Sequence, residues 1–381
     1  AMQRHIFLIP GFFGFANLGD FAYWGPVFRQ LNQQLDGAGL PAHIHCVPSL
    51  PTASLRARTR SLLESIARVR PHTDAAIHLI GHSTGGLDAR LLLSPGVNLE
   101  TRMDVEAIAR RVCSSISIAT PHRGAPIASF FTGLLGRKLL HLLSIVTMTA
   151  LRGAHLPLHV WVEIAGLFAV PPALGEATGS LASQLYQQLL SDFNPERREQ
   201  VSQLLGHVQN DQSLLTQLTV ESMDIFNSLA IDRAHVAYGA VITQARPPSL
   251  NTSLEIGFDF VEQAQQALYY SRSQLARGYR FPSPNAQYQS QLIKSLGALP
   301  DSDANDGIVP TNSQPWGDCI AVARADHLDI IGHHGGSETD VAQHFDWLST
   351  HSEFRSEQFI HVWQRVAQFI ARSETARSTP A

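Results

Sequence analysis

The run Ala75-Ala76-Ile77-His78-Leu79-Ile80-Gly81-His82-Ser83-Thr84-Gly85-Gly86-Leu87 decides how this 381-residue chain is read. Its first half is an apolar, strand-like segment, and its second half opens Leu87-Asp88-Ala89-Arg90-Leu91, which reads as helix. Between the two lies Gly81-X-Ser83-X-Gly85. That spacing alone is weak evidence; a strand entering it and a helix leaving it make it strong. The turn from strand to helix is so sharp that side chains at the flanking positions would clash, and it lifts the serine clear of the sheet. A serine hydroxyl is a poor nucleophile until a base takes its proton. Ser83 is therefore the candidate nucleophile, the alternative being a helix-capping serine in a glycine turn.

Outward from that turn, strand-like segments at residues 4–9, 42–47, 75–81 and 112–119 alternate with helix-like ones near 20–36, 52–70 and 85–93. Such alternation predicts an α/β fold, a mostly parallel sheet flanked by helices. After Pro126 the pattern changes. Residues 128–151 and 156–174 are rich in Leu, Val, Ile and Phe, and Gly133, Arg137, His141 and Ser144 recur at helical spacing as a narrow polar stripe. Amphipathic helical patterns follow at 180–193, 196–208 and 211–219. The frame resumes with a strand at 235–242, a helix-like stretch at 258–277, an apolar run at 319–323 and amphipathic segments at 339–349 and 357–371. The expected organisation is a core over residues 1–124 and 235–372, a helical lid or cap insertion over 125–234, and a frayed tail over 373–381.

Composition narrows the function. With 28 Lys plus Arg against 32 Asp plus Glu, the net charge is −4, which gives no basic footprint for nucleic acid. Charged residues make up 16%, against about 25% in an average soluble protein. The deficit is concentrated between residues 125 and 175, where an apolar surface would suit a hydrophobic substrate. Cys46, Cys113 and Cys319 are far apart, odd in number and set in apolar runs, so they read as core thiols. No segment reaches 18 clean apolar residues: the stretch 156–174 is interrupted by His159, Glu163 and two prolines, so no membrane span is expected. The first strand begins almost at once, and Ala1 before Met2 reads as an expression remnant. The expected location is cytoplasmic, or secreted if a leader was trimmed.

A nucleophilic serine needs a base, and the base an acid to fix its tautomer. Downstream, Asn305-Asp306-Gly307-Ile308-Val309-Pro310 places an acid in a glycine turn, and Ala325-Asp326-His327-Leu328-Asp329 places a histidine after a strand-like run. These motifs, with Gly81-His82-Ser83-Thr84-Gly85-Gly86 and Ala119-Thr120-Pro121-His122-Arg123-Gly124, resemble the bacterial triacylglycerol lipase and esterase group of the α/β-hydrolase superfamily. By that resemblance Ser83 is the nucleophile, Asp306 the orienting acid and His327 the base. Rival acids are Asp301, Asp303 and Asp329; rival bases are His333, His334 and His122.

The resemblance also implies two oxyanion donors, the N–H groups of Thr84 and Phe12. Phe12 lies in Ile9-Pro10-Gly11-Phe12-Phe13-Gly14, which looks like the lipases' His-Gly-X-X loop with Pro10 in place of the histidine. Those lipases often bind calcium through an Asp at the position of Asp329; the next ligand position holds His333, a poor partner for a hard cation. No calcium, other metal or cofactor is predicted, and His43 with His45, or His333 with His334, makes no set with further ligands. The expected activity is hydrolysis of hydrophobic acyl esters through an acyl-enzyme, with a lipid–water interface as a partner and a monomer as the default state. Rival readings are a short-chain carboxylesterase, a thioesterase, a polyester hydrolase, an acyltransferase, and a non-catalytic lipid-binding module.

Overall fold

A computed structural model describes residues 3–11, 16–48, 51–131, 211–249, 280–334 and 350–378, with isolated positions between 195 and 210. Strands β1 (Arg4–Ile9), β2 (His43–Cys46), β3 (Ala76–His82), β4 (Val112–Ile118), β5 (Ala237–Thr243) and β6 (Asp318–Ala323) form one sheet in the order β2-β1-β3-β4-β5-β6. Every neighbouring pair is parallel. β1, β3 and β4 are buried along their whole length, as strands covered on both faces must be.

Helices supply the cover. α1 (Ala16–Gly37), α2 (Leu55–Val69) and α3 (Gly85–Leu93) follow the first three strands in the chain. Leu62, Leu63 and Ile66 of α2, with Ala89, Leu92 and Leu93 of α3, close over Phe7, Ile77 and Leu79 on one face. α2 starts where the Ser54 side chain accepts from Ala57 N–H and stops where Arg70 turns left-handed (φ 50°). The short α4 (Val105–Ala109) joins the same cluster at its edge. On the other face α9 (Ser356–Ser378) lies beside α1, while α8 (Ala286–Leu296) packs Tyr288 and Leu292 against Ala240 and Ile242 of β5.

α9 differs from expectation at its end. Instead of fraying from residue 373 it stays helical to Ser378, because Glu374 is buried and accepts from Arg4 (2.5 and 2.6 Å) and His78 (2.9 Å). A tertiary anchor of this kind leaves no local sequence pattern.

Within residues 125–234 the described helices are α5 (Pro126–Phe131), α6 (Ser213–Gln217) and α7 (Val220–Leu229). Ala128, Leu214, Leu218 and Met223 pack on Leu55 and Leu87, so these helices are fastened to α2 and α3. Thr52 Oγ1 donates to the Asp211 carbonyl (2.6 Å), and Leu55 N–H to Gln217 Oε1 (2.8 Å). The expected lid itself, the helix at 258–277 and the segment at 339–349 lie outside the described residues. Among those residues no helix is long and apolar enough to cross a membrane.

Candidate active site

Because all six strands run the same way, the ends of β1, β3, β4, β5 and β6 open at one sheet edge, where ligands of α/β sheets bind. At that edge β3 passes into α3 through Ser83, whose φ of 54° lies in the left-handed region that side chains avoid. The strain persists because the turn is over-determined: Ser83 N–H donates to the Ile118 carbonyl at 2.8 Å, and Thr84 begins α3 at once. Gly85 permits the crossing, since a Cβ there would sit 2.2 Å from the Ile9 carbonyl oxygen. Thr84 N–H belongs to the first turn of α3, where helix geometry leaves such donors without intrahelical acceptors.

The loop after β1 comes up against the serine. A Cβ on Gly11 would lie 2.4 Å from Ser83 Cβ, so only glycine lets this backbone pass. Phe12, the expected second oxyanion donor, follows directly in the chain and lies outside the described residues.

The structure brings two of the expected residues into contact. His327, in the loop after β6, donates Nδ1–H to Asp306 Oδ2 at 2.8 Å, and both side chains are fully buried. Thr243 Oγ1 also donates to Asp306 Oδ2 (2.7 Å), and Oδ1 accepts the Ile308 and Val309 N–H groups at 3.0 and 2.8 Å. With its acceptors filled, the carboxyl group is held in one orientation. His327 is fixed by its main chain as well, N–H to the Asp306 carbonyl at 3.0 Å. Its Nε2 is buried and has no hydrogen-bond partner among the described residues, which leaves a bare imidazole acceptor.

The rivals go elsewhere. Asp301 and Asp303 are exposed. Asp329 accepts Asp326 N–H (3.0 Å) and Ser352 O–H (2.5 Å). His333 donates Nε2–H to the Tyr23 carbonyl at 3.0 Å, and His334 packs edge-on against Phe354. Asp329 and His333 thus turn to different partners. His122 lies over Trp316, taking Arg90 Nη1–H on Nδ1 (3.3 Å) and donating Nε2–H to Ser117 Oγ (2.8 Å).

Several residues around the site carried no motif. Arg58 is wholly buried; it binds both Asp88 oxygens and donates to the Pro10 carbonyl at 2.9 Å, so α2 grips the loop after β1. Burial raises the Asp88 carboxyl even with the Arg58 guanidinium beside it. Tyr23 of α1 and His82 of β3 complete a buried chain around Gly11 and His327. Only His82 left a trace in the sequence, a titratable residue inside Gly-X-Ser-X-Gly. Asp326, next to the histidine, is pushed up to about 6 by burial, against hydrogen bonds from Asp329 N–H, Thr350 and Leu328 N–H that favour its anion.

No family model matches this sequence, and no curated protein does. Among solved structures the chain is similar to EstA from Clostridium botulinum, with 19% identity over 97% of this chain and 87% of that one and a TM-score of 0.53. It is likewise similar to lipase 1 from Pelosinus fermentans, with 16% identity over the whole of both chains and a TM-score of 0.53. The chain has the α/β-hydrolase fold of these bacterial esterases and lipases. At such identities it is the fold that is shared.

Proposed function

We propose that the chain is a serine hydrolase of carboxylic esters with hydrophobic acyl groups. The observation that carries this reading is the Asp306–His327 pair, its Nε2 bare, at the same sheet edge as a serine in left-handed backbone. In this mechanism Ser83 Oγ attacks the ester carbonyl while His327 Nε2 takes its proton. The imidazolium is stabilised by Asp306, whose anion Thr243 and two main-chain N–H groups keep in place. Thr84 and Phe12 N–H groups receive the oxyanion. The tetrahedral intermediate collapses as His327 returns the proton to the leaving alcohol. Water, deprotonated by the same Nε2, then frees the acid from Ser83. Hydrogen bonds of this kind often tighten only in the substrate complex, so an Nε2 with no partner among the described residues suits a base awaiting its proton.

The hydrophobic acyl group follows from the apolar, charge-poor sequence between residues 125 and 175, since each buried methylene is worth about 0.8 kcal/mol. A lipid–water interface is the natural setting for such an ester. The test is a hydrolysis profile across p-nitrophenyl esters of increasing acyl length. Ser83→Ala should abolish turnover and labelling by a fluorophosphonate probe while keeping the fold, and activity should hold or rise beyond the acetyl ester. Full activity in Ser83→Ala would end the reading.

A further inference from the structure

We infer that His82 and Tyr23 are positioning residues, joining the loop after β1 to the main chain of His327 through one buried hydrogen-bonded relay. Gly11 N–H donates to the Tyr23 phenol oxygen (3.2 Å), the Tyr23 O–H meets His82 Nδ1, and His82 Nε2 meets the His327 carbonyl (2.7 Å). The directions follow from the ends. A carbonyl can only accept, so His82 Nε2 carries a proton. The neutral imidazole then has its lone pair on Nδ1, which takes the Tyr23 proton, and the phenol oxygen is left to accept Gly11 N–H. One tautomer satisfies every group in the chain.

The surroundings hold that tautomer. His82 and Tyr23 are both almost entirely buried, and the His82 ring lies 4.7 Å from that of His327 and packs against Trp24. Burial, with His327 beside it, keeps the His82 imidazole well below its ordinary range, and burial pushes the Tyr23 phenol up. Neither group ionises where His327 would work as a base. Tyr23 is held at its other end too, its carbonyl accepting from His333. The loop that should bind the oxyanion and the loop that carries the base are thus tied to the same α1 residue. Misplacement of a reacting group by about 1 Å can cost about a hundredfold in rate, so the relay should act on turnover more than on substrate binding.

The kinetic consequence rests on the ester-hydrolase reading; the relay itself does not. Tyr23→Phe, which removes a single oxygen, should lower kcat by about ten- to hundredfold with KM nearly unchanged. His82→Leu should cost at least as much, and His82→Gln, whose amide can still donate to the His327 carbonyl, should recover part of it. The double variant Tyr23→Phe/His82→Leu should be no worse than His82→Leu, because one chain is broken once. Long-range 1H–15N spectra should show His82 neutral and protonated on Nε2 in both the wild type and Tyr23→Phe, because the His327 carbonyl still demands that proton, with the Nδ1 resonance shifted in the variant where it loses the Tyr23 hydrogen bond. Unchanged kcat in folded Tyr23→Phe, additive losses, or an Nδ1-protonated His82 would overturn the relay. If the wild type hydrolyses no ester, the functional reading fails alone, and the imidazole spectra still decide between relay and no relay.

Discussion

Thr243 and Asp306 lie 63 positions apart in the chain, yet one short bond between them sets the acid side of the site. The Thr243 hydroxyl is buried at the end of β5 between two acceptors, Asp306 Oδ2 at 2.7 Å and Gln314 Oε1 at 3.1 Å; the latter already accepts the Thr243 N–H (2.8 Å), and the shorter contact is the one to Asp306. Thr243→Val keeps the volume and deletes the donor. A hydrogen bond to a charged group is worth about 1.5–3 kcal/mol, so Asp306 would orient the imidazole less firmly. The expected result is about a tenfold loss in kcat at unchanged KM, measured on the p-nitrophenyl ester that the wild type turns over fastest. Nothing around Thr243 in the sequence marks it, because its role exists only once β5 and the loop before β6 lie side by side. Asp306 and His327 were legible for the opposite reason, each being embedded in a short motif.

At the scale of elements, the grip of α2 on the loop after β1 can be separated from its contribution to stability. Arg58→Met removes the donor to the Pro10 carbonyl and leaves Asp88 charged and buried, a change that typically costs about 3–5 kcal/mol. Adding Asp88→Leu replaces the whole pair by apolar groups and should restore most of the urea midpoint. The double variant should still turn over slowly, since Pro10 remains unheld. Recovery of both stability and kcat would assign the pair to packing alone. The last helix offers a second case. Burial alone would raise the Glu374 carboxyl, but hydrogen bonds from His78 and Arg4 outweigh it and hold the group down to about 2. Glu374→Gln strands Arg4 beneath α9 and should destabilise by about 3–5 kcal/mol in urea unfolding, with kcat of the remaining folded protein intact. The sequence pattern gave α9 its amphipathic body but not its end, because the anchor pairs residues 370 positions apart.

The whole molecule should lose stability in acid in two stages. His5 is held down to about 4, first by burial and then by His45 and His43, whose rings stack beside it at the β1–β2 edge. As pH falls below 6.5 the unfolded chain takes up the proton first, so this contribution is present above 6.5 and is lost toward 4. Glu374 acts lower, its contribution fading from about 4.5 down through 2. Asp326, raised to about 6, works the other way: the folded state binds its proton first, and it relieves the acid loss between about 6 and 3.8. Asp326 offsets much of the His5 loss, but His82 and His122, whose imidazoles burial holds well below their ordinary range, act in the same direction as His5, so urea midpoints at pH 7, 5.5 and 4 should fall, and His5→Gln should flatten the first part of that fall. An unchanged slope in His5→Gln would remove the histidine edge from the account.

By itself the sequence determined the alternating frame, the strand-to-helix turn at Ser83, and the chain order of Ser83, Asp306 and His327. These are local facts, written in periodicity and in short motifs whose glycines have steric work to do. Tertiary structure alone decided which groups hold the site in place. Arg58 reaches Pro10, Thr243 reaches Asp306, and Tyr23 with His82 links Gly11 to His327, because a parallel sheet gathers the ends of strands that are distant in the chain. Buried polar groups must find partners wherever packing puts them, and no residue's neighbours in sequence record where that is.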